Sequence, residues 1–291
     1  MRVQTFSIVA GTALCNAKCP FCVSKMTPPA GINYEEPEVN WRNFRKAARL
    51  AQLSETTTVM ITSKGEPTLY PTQISKFLKE LQQFSFPIIE LQTNGILIAT
   101  NPEKYKPFLK EWYNLGLNTI AISIVSYDSE KNRKIYLPYE KEYPELKKLI
   151  ELLHSYKFSV RLATVLTKGN SDTVEDIQKL IEFAKSNKVE QLTLRPVVKP
   201  EKSQNMETFN WVSANCLTRE QVETIINYIE SIGVKLMDLM HGATVYDVNG
   251  QNVCISNALT LKSNLNNIRQ LIFFPDGHLR YDWQYEGAIL I

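Results

Sequence analysis

The sequence lacks several features that would assign a protein quickly to a class. Its 291 residues carry 33 Lys and Arg against 30 Asp and Glu, and the net charge of +3 predicts neither a nucleic-acid surface nor a polybasic membrane anchor. The apolar runs are well short of the roughly 18 residues that a membrane span needs, and no cleavable leader is evident at residues 1–15. We therefore expect a soluble, unexported, cytoplasmic protein.

Cysteine and histidine are also scarce, with five and three residues respectively. Three of the five cysteines, Cys15, Cys19 and Cys22, lie close together near the start of the chain. An odd number of cysteines with three of them clustered fits a reducing compartment and a metal cluster better than a disulfide framework. Cys216 and Cys254 are isolated, and we interpret them as buried apolar residues.

Short runs rich in β-branched and apolar residues recur along the first two thirds of the chain. The six runs are residues 3–9, 57–62, 87–92, 118–124, 159–166 and 189–196. Helical periodicity lies between them, for example over residues 146–153, and the pairs Asp172/Glu175 and Thr218/Gln221 have the spacing of capping boxes. This alternation predicts a parallel sheet with helices outside it, although periodicity does not distinguish an open sheet from a barrel. Both forms place ligand-binding loops at the carboxyl ends of the strands.

The pattern changes after about residue 198. A segment rich in Lys, Glu, Ser, Gln and Asn leads into one clear helix and then into short β-like runs. The turn pairs Asn249-Gly250 and Asp276-Gly277 predict hairpins there. We therefore divide the chain into residues 1–198 and a C-terminal segment, residues 199–291.

The three clustered cysteines follow the first predicted strand, with three and two residues between them. Three thiolates on one loop can each ligate one iron of a cubane cluster and leave the fourth iron without a protein ligand. The alternative is a structural zinc site, which needs a fourth ligand. No local residue supplies it, because His154, His241 and His278 are more than 130 residues away.

This C-x-x-x-C-x-x-C motif, with aromatic Phe21 before its last cysteine, resembles that of the radical S-adenosylmethionine (SAM) superfamily. Ser63-Lys64-Gly65-Glu66-Pro67 resembles the Gly-Gly-Glu-Pro turn of that family, with Lys64 in place of the first glycine. Further likenesses follow in order at later strands, and the resemblance spans residues 3–198. It implies that SAM is contacted by Phe21, Lys64, Gly65, Glu66, Asn94, Ser123 and Arg161, and that the metal ligands are Cys15, Cys19 and Cys22.

The resemblance also implies a fold and a chemistry. The fold is a partial (β/α)6 TIM-like barrel with a small C-terminal α+β extension. The cofactors are one [4Fe-4S] cluster, which is oxygen-sensitive, and SAM, whose amino and carboxylate groups chelate the open iron. One electron from a donor such as flavodoxin or ferredoxin cleaves SAM, and the resulting 5′-deoxyadenosyl radical abstracts a hydrogen atom from the substrate.

The C-terminal segment is expected to select the substrate. Residues 268–280 resemble a hairpin of the GTP 3′,8-cyclase group of molybdopterin biosynthesis, in which a ligand to a second cluster follows. Here Tyr281, Asp282 and Trp283 stand at those positions, so we predict one cluster only. Asp282 and Arg195 are the residues expected to act on the substrate, and arginines at 195, 269 and 280 suit a phosphate or carboxylate.

Three functions are compatible with these motifs. The favoured one is a radical SAM enzyme acting on a small molecule, with a nucleotide-like substrate preferred. The second is the same chemistry on a peptide or a tRNA, which the near-neutral charge and the lack of a recognisable RNA-binding or peptide-docking domain disfavour. The third is a binding module stabilised by zinc, without catalysis.

Overall fold

The computed structural model describes residues 3–239, 242–256 and 268–291, so His241 lies outside the described residues. The strands are β1 (Thr5–Val9), β2 (Thr58–Thr62), β3 (Ile88–Thr93), β4 (Thr119–Ile124), β5 (Ser159–Leu166), β6 (Gln191–Pro196), β7 (Val234–Leu239), β8 (Ala243–Val248), β9 (Gln251–Ser256), β10 (Gln270–Phe273) and β11 (Leu279–Arg280). The α-helices are α1 (Val23–Met26), α2 (Trp41–Leu53), α3 (Pro71–Leu81), α4 (Ile96–Thr100), α5 (Pro102–Asn114), α6 (Ser129–Tyr136), α7 (Leu146–Ser155), α8 (Val174–Ser186), α9 (Met206–Asn215) and α10 (Arg219–Ile232). Among the helices described, none is long and apolar enough to cross a bilayer.

All the strands belong to one sheet, in the order β11, β10, β1, β2, β3, β4, β5, β6, β9, β8 and β7. Strands β1 to β6 are mutually parallel and follow the chain order. The six predicted strands are confirmed: residues 159–166 coincide with β5, and the other five agree to within two residues. At least one helix lies between each pair of consecutive strands, and a crossover of this length allows the next strand to run parallel to the previous one.

The helices that connect strands β1 to β6 pack against one face of this sheet. Alternate strand residues such as Phe6 and Ile8, or Ile89 and Leu91, join the helices in one continuous core. The residues between them include Glu90, which points to the opposite face. A parallel sheet is normally covered on both faces, so one with helices on a single side must curl until its inner face is enclosed. The predicted partial (β/α)6 TIM-like barrel is confirmed.

The C-terminal segment extends this sheet at both edges. Strand β10 pairs in parallel with β1, and β9 pairs in parallel with β6. The hairpin predicted at Asn249-Gly250 joins β8 and β9, and both turn residues have positive φ, 53° and 86°, as a type I′ turn requires. The hairpin predicted at Asp276-Gly277 joins β10 and β11. The division of the chain at residue 198 stays a prediction.

One of the two predicted capping boxes is confirmed. Thr218 and Gln221 form a reciprocal capping box at the start of α10. The box predicted from Asp172 and Glu175 is wrong by one residue, because the cap of α8 is Thr173. The Asp172 carboxylate instead accepts a hydrogen bond from the Gly169 amide at 3.0 Å, within the preceding loop.

Candidate functional site

The loop between β1 and α1 carries the three clustered cysteines. Cys15 is exposed, Cys19 and Cys22 are partly exposed, and Cys22 is the N-cap residue directly before α1. A hydrogen bond from the Cys19 thiol, helped by the backbone amides that follow Cys22, lowers the pKa of Cys22 to about 6. Although Cys15 as a residue is exposed, partial desolvation of its sulfur by surrounding protein atoms raises the pKa of Cys15. Among the three thiols, Cys22 is therefore the one whose thiolate form is favoured.

The surroundings of the loop fit an additional group. In the described part of the chain, no three Cys, His, Asp or Glu side chains are arranged as a metal site, so the thiols must draw together to share a cluster. Three buried polar atoms beside the loop have no partner among the described residues: Asn16 Nδ2, Tyr136 Oη and Tyr143 Oη. Burial raises the pKa of the Tyr136 hydroxyl, and the nearby Cys19 and Cys15 groups raise it further, which places this hydroxyl close to the thiols. Three unpaired polar atoms around sulfur ligands are chemically suited to a bound cluster and its ligand.

Aromatic packing supports the underside of this loop. The Phe21 ring is buried and lies edge-on to Tyr136 with ring centroids 6.2 Å apart, and 5.8 Å from the ring of Trp211. The Lys18 amide donates to the carbonyl of Tyr136 at 2.8 Å, which ties the loop to the end of α6. Phe21 therefore lies in a packed wedge between the loop, α6 and α9, as well as beside the cysteines.

The turn after β2 is fastened to the residue that precedes Cys15. A Cβ on Gly65 would lie 1.8 Å from the Leu14 carbonyl oxygen, so only glycine permits this approach. The next residue, Glu66, donates its amide to the same oxygen at 2.9 Å. The φ of Gly65 is not in the left-handed region, so close backbone approach alone accounts for the glycine.

Glu66 is 2% exposed and its carboxylate is fully engaged with protein donors. One oxygen accepts from the Thr68 amide at 3.0 Å, the Thr68 hydroxyl at 2.7 Å and the Thr93 hydroxyl at 2.6 Å. The other accepts from the Asn94 amide at 3.0 Å, and the Asn94 side chain donates to Asn16 Oδ1 at 2.8 Å. Burial raises the pKa of Glu66. The carboxylate thus links the turn after β2 to the end of β3. The hydrogen bond from Asn94 to Asn16 then links the end of β3 to the cysteine loop.

The Lys64 side chain points away from Gly65 and Glu66, toward α1 and the C-terminal hairpin. It is 7% exposed, and Nζ donates to Thr27 Oγ1 at 2.6 Å and to the Ser24 carbonyl at 3.4 Å. The Trp283 ring centroid is 5.9 Å from Nζ. Burial lowers the pKa of Lys64 to about 8.

The inner face of the sheet carries charge. Arg161 on β5 forms an ion pair with Glu90 on β3, and their side chains are only 15% and 7% exposed. Arg195 on β6 lies beside them, and burial, with the charge of Arg161, lowers its pKa to about 10. The Nε atoms of both arginines are buried and have no partner in the part of the chain that the structure describes. The charges of both arginines also act on the thiol of buried Cys254. Ser123, on the neighbouring strand β4, is partly exposed.

Asp282 lies in the turn after β11. Its Oδ1 accepts from the Gln284 amide at 2.7 Å, and its charge acts on Arg269, whose own pKa is lowered by burial. Arg280 donates to the Glu286 carbonyl at 3.0 Å and stands 5.4 Å from the centroid of Phe274. Asp282 is therefore engaged in shaping this turn, and its role toward a substrate stays a prediction.

A cavity of about 1090 Å³ opens between α4, α5, α7 and residues 137–145. It touches the cysteine loop at Asn16, and none of the predicted SAM contacts lines it. This cavity is therefore separate from the barrel interior in which Arg161 and Arg195 lie.

Several residues of the site were not anticipated from the sequence. Glu90 interrupts an apolar strand, and a charged residue inside such a run could have indicated a buried ion pair, here with Arg161. Tyr136, Tyr143 and Trp211 gave no local signal, because they reach the cysteine loop from distant elements.

The profile of the radical SAM superfamily matches residues 9–184, three fifths of the chain. The chain belongs to the radical SAM superfamily. This membership implies a [4Fe-4S] cluster and SAM as cofactors, and it supports the prediction of an enzyme.

Two curated relatives are similar to this radical SAM protein over part of their length. GTP 3′,8-cyclase from Campylobacter jejuni is 26% identical over 185 residues, which cover 62% of this chain and 52% of the relative. A SAM-dependent nucleotide dehydratase from Flammeovirga pacifica is 26% identical over 187 residues, which cover 63% of this chain and 60% of the relative. The chain thus spans little more than half the length of the relatives it matches.

Solved radical SAM structures share the fold. Streptococcus suis SuiB bound to SAM superposes with a TM-score of 0.62 at 16% identity, covering 97% of this chain and 60% of SuiB. The protein anSMEcpe with bound SAM gives a TM-score of 0.58 at 16% identity, covering 99% of this chain and 74% of that one. At these identities the likeness concerns the fold alone.

Proposed function

We propose that this radical SAM enzyme uses a single [4Fe-4S] cluster, ligated by Cys15, Cys19 and Cys22, to cleave SAM and to abstract a hydrogen atom from a small molecule. The observation that carries the proposal is the junction of the cysteine loop with the turn at Gly65 and Glu66. This junction brings three thiols to the carboxyl ends of parallel strands, where barrel enzymes hold their substrates.

The chain's own residues position the cofactors. When bound and reduced, the cluster supplies one electron that splits SAM into methionine and a 5′-deoxyadenosyl radical. The buried Glu66 carboxylate holds the turn whose backbone carbonyls can accept from the SAM ammonium. The residues assigned to SAM are Phe21, Gly65, Glu66, Asn94, Ser123 and Arg161, together with Lys64 through the backbone of the turn. The barrel wall restricts the movement of water and of the reactive group.

The inner face of the barrel supports a substrate that carries a carboxylate or a phosphate. Arg161 and Arg195 each keep a buried Nε that has no partner among the described residues, and Glu90 is the carboxylate whose charge acts on Arg195. A guanidinium with a free donor in a dry site binds planar oxyanions well. The two curated relatives act, by their names, on nucleotides. We therefore favour a nucleotide-like anion, with Arg195 as its contact and Asp282 as a second substrate residue.

The remaining parts of the proposal concern partners and organisation. We propose flavodoxin or ferredoxin as the electron donor and the cytoplasm as the compartment. Residues 199–291 would cap the barrel and select the substrate. Cys254 is buried, as expected, whereas the expectation of a buried Cys216 is wrong because this residue is partly exposed. We assign neither to a cluster.

The test is anaerobic purification followed by reduction with dithionite in the presence of SAM. We expect about four irons per chain, the EPR signal of a reduced [4Fe-4S] cluster, and release of 5′-deoxyadenosine. Alanine at Cys15, Cys19 or Cys22 should abolish the release, whereas Cys216→Ala, a partly exposed cysteine outside the loop, should retain it. Undiminished release from any of the three loop variants would contradict the proposed ligand set.

A further inference from the structure

Lys64 is a buried cation whose partners are neutral. Its Nζ donates to the Thr27 hydroxyl at 2.6 Å and to the Ser24 carbonyl at 3.4 Å. Within residues 3–239, 242–256 and 268–291, no carboxylate lies at ion-pair distance from this ammonium. A charge that is removed from water without an opposite charge is costly, and an anion close to Lys64 would offset that cost.

The groups around Lys64 indicate which anion could offset its charge. The same-sign charge of Arg280 acts on it, while Cys22 is the group of opposite sign that acts on it. Both hydrogen-bond acceptors of Lys64 lie on the stretch that directly follows Cys22, from Ser24 to Thr27. The Trp283 ring, with its centroid 5.9 Å from Nζ, helps to shield this ammonium from water.

A cubane cluster ligated by Cys22 and two further thiolates would be such an anion. Its oxidised form with three cysteine ligands carries a net negative charge, and reduction adds one more. Net charge, hydrogen bonding and solvent exposure set the reduction potential of such clusters. A buried positive charge beside one ligand stabilises the reduced form more than the oxidised form, because the attraction grows with the negative charge.

We propose that Lys64 is the counter-charge of the cluster and raises its reduction potential, rather than a contact to SAM. This inference rests on the proposed function, since it takes Cys15, Cys19 and Cys22 as the cluster ligands. It explains why a long basic side chain can stand where the family turn has its first glycine: the backbone serves the turn while the side chain reaches α1. Lys64 is thus a positioning residue that acts through Cys22.

The test is an EPR-monitored redox titration of the anaerobic, cluster-loaded protein without SAM. Lys64→Met removes the charge and keeps the length of the side chain, and Lys64→Gln is measured in parallel. The matched control is Lys25→Met, because the Lys25 charge also acts on Cys22 but its side chain is exposed to solvent. We expect a more negative midpoint potential in both Lys64 variants, a smaller change in Lys25→Met, and iron and sulfide contents equal to those of the wild type.

Two results would overturn the inference. One is a midpoint potential in the Lys64 variants that differs from the wild type by no more than that of Lys25→Met. The other is a difference that arises only after SAM is added, which would make Lys64 a SAM contact. Failure of the proposed function looks different, because the wild-type protein itself would then bind no [4Fe-4S] cluster and there would be no couple to titrate.

Discussion

Replacing Gly65 by alanine should separate the turn after β2 from the cysteine loop. The new Cβ would lie 1.8 Å from the Leu14 oxygen, and ordinary contact begins at 3.4 Å, so the two segments must move apart by about 1.6 Å. A shift of that size breaks the 2.9 Å hydrogen bond from the Glu66 amide to Leu14. Overpacking costs about 1–3 kcal/mol and a lost hydrogen bond about 1 kcal/mol, which together give about 2–4 kcal/mol.

The assay is thermal unfolding of the anaerobic protein together with its iron content. At about 2 °C per kcal/mol for a chain of this size, we expect Tm to fall by about 4–8 °C and the cluster to be lost more readily. Gly287→Ala is the matched control, because its Cβ would meet no described atom within 4 Å and its φ is not in the left-handed region. If Gly65→Ala kept the Tm and the iron content of Gly287→Ala, the turn would not be fastened to the loop as described.

Three further substitutions test the site and its scaffold by urea unfolding. Burial raises the pKa of Glu66, so the contribution of Glu66 to the free energy of unfolding is greatest below its ordinary pKa of 4.5 and declines as pH rises through the raised value. Glu66→Gln should remove this decline, and an unchanged pH profile of the free energy of unfolding would contradict the reasoning. Arg161→Met should lower the free energy of unfolding by about 1–3 kcal/mol, because buried Glu90 loses its ion-pair partner and keeps only the Gln92 amide at 3.0 Å and the charge of nearby Arg195. A loss under about 1 kcal/mol would show that water reaches that carboxylate. Gly250→Ala should cost about 1–2 kcal/mol, because φ is 86° and no described atom lies within 4 Å of the added carbon; a neutral result would argue against the type I′ turn.

The repeating part of the fold could be predicted from sequence because its signals are local. The period of two in β5 and the period of 3.6 in α7 each arise from one face meeting the core. The shift of one residue in the cap of α8 shows the limit of such signals. Asp172 and Thr173 are both good caps, and the choice between them is made by the Asp172 contact with the Gly169 amide.

The parts of the site that could not be predicted depend on contacts between distant segments. Helix α9 lies in a polar stretch and buries little, since only Thr208 and Val212 are covered, yet it places Trp211 against Phe21. Lys64 replaces a glycine of the family turn, and the sequence does not show where its side chain points. The direction is set by its hydrogen bond to Thr27, directly after α1. The spacing of the motifs predicted the chemistry. The charges and hydrogen bonds around the motifs could be described only from the folded chain.

The pairing of β10 with β1 and of β9 with β6 has a consequence for engineering. The backbone that leads into the cysteine loop and the strand that carries Arg195 are each hydrogen-bonded along one side to residues beyond 250. A chain shortened after β6 would leave one edge of β1 and one edge of β6 without a hydrogen-bonded neighbour. Unpaired strand edges can pair with other molecules and cause aggregation. Grafting the terminal portion of a relative to alter specificity would therefore have to reproduce both registers, Thr5 with Gln270 and Thr193 with Cys254, before any change in the pocket could be tested.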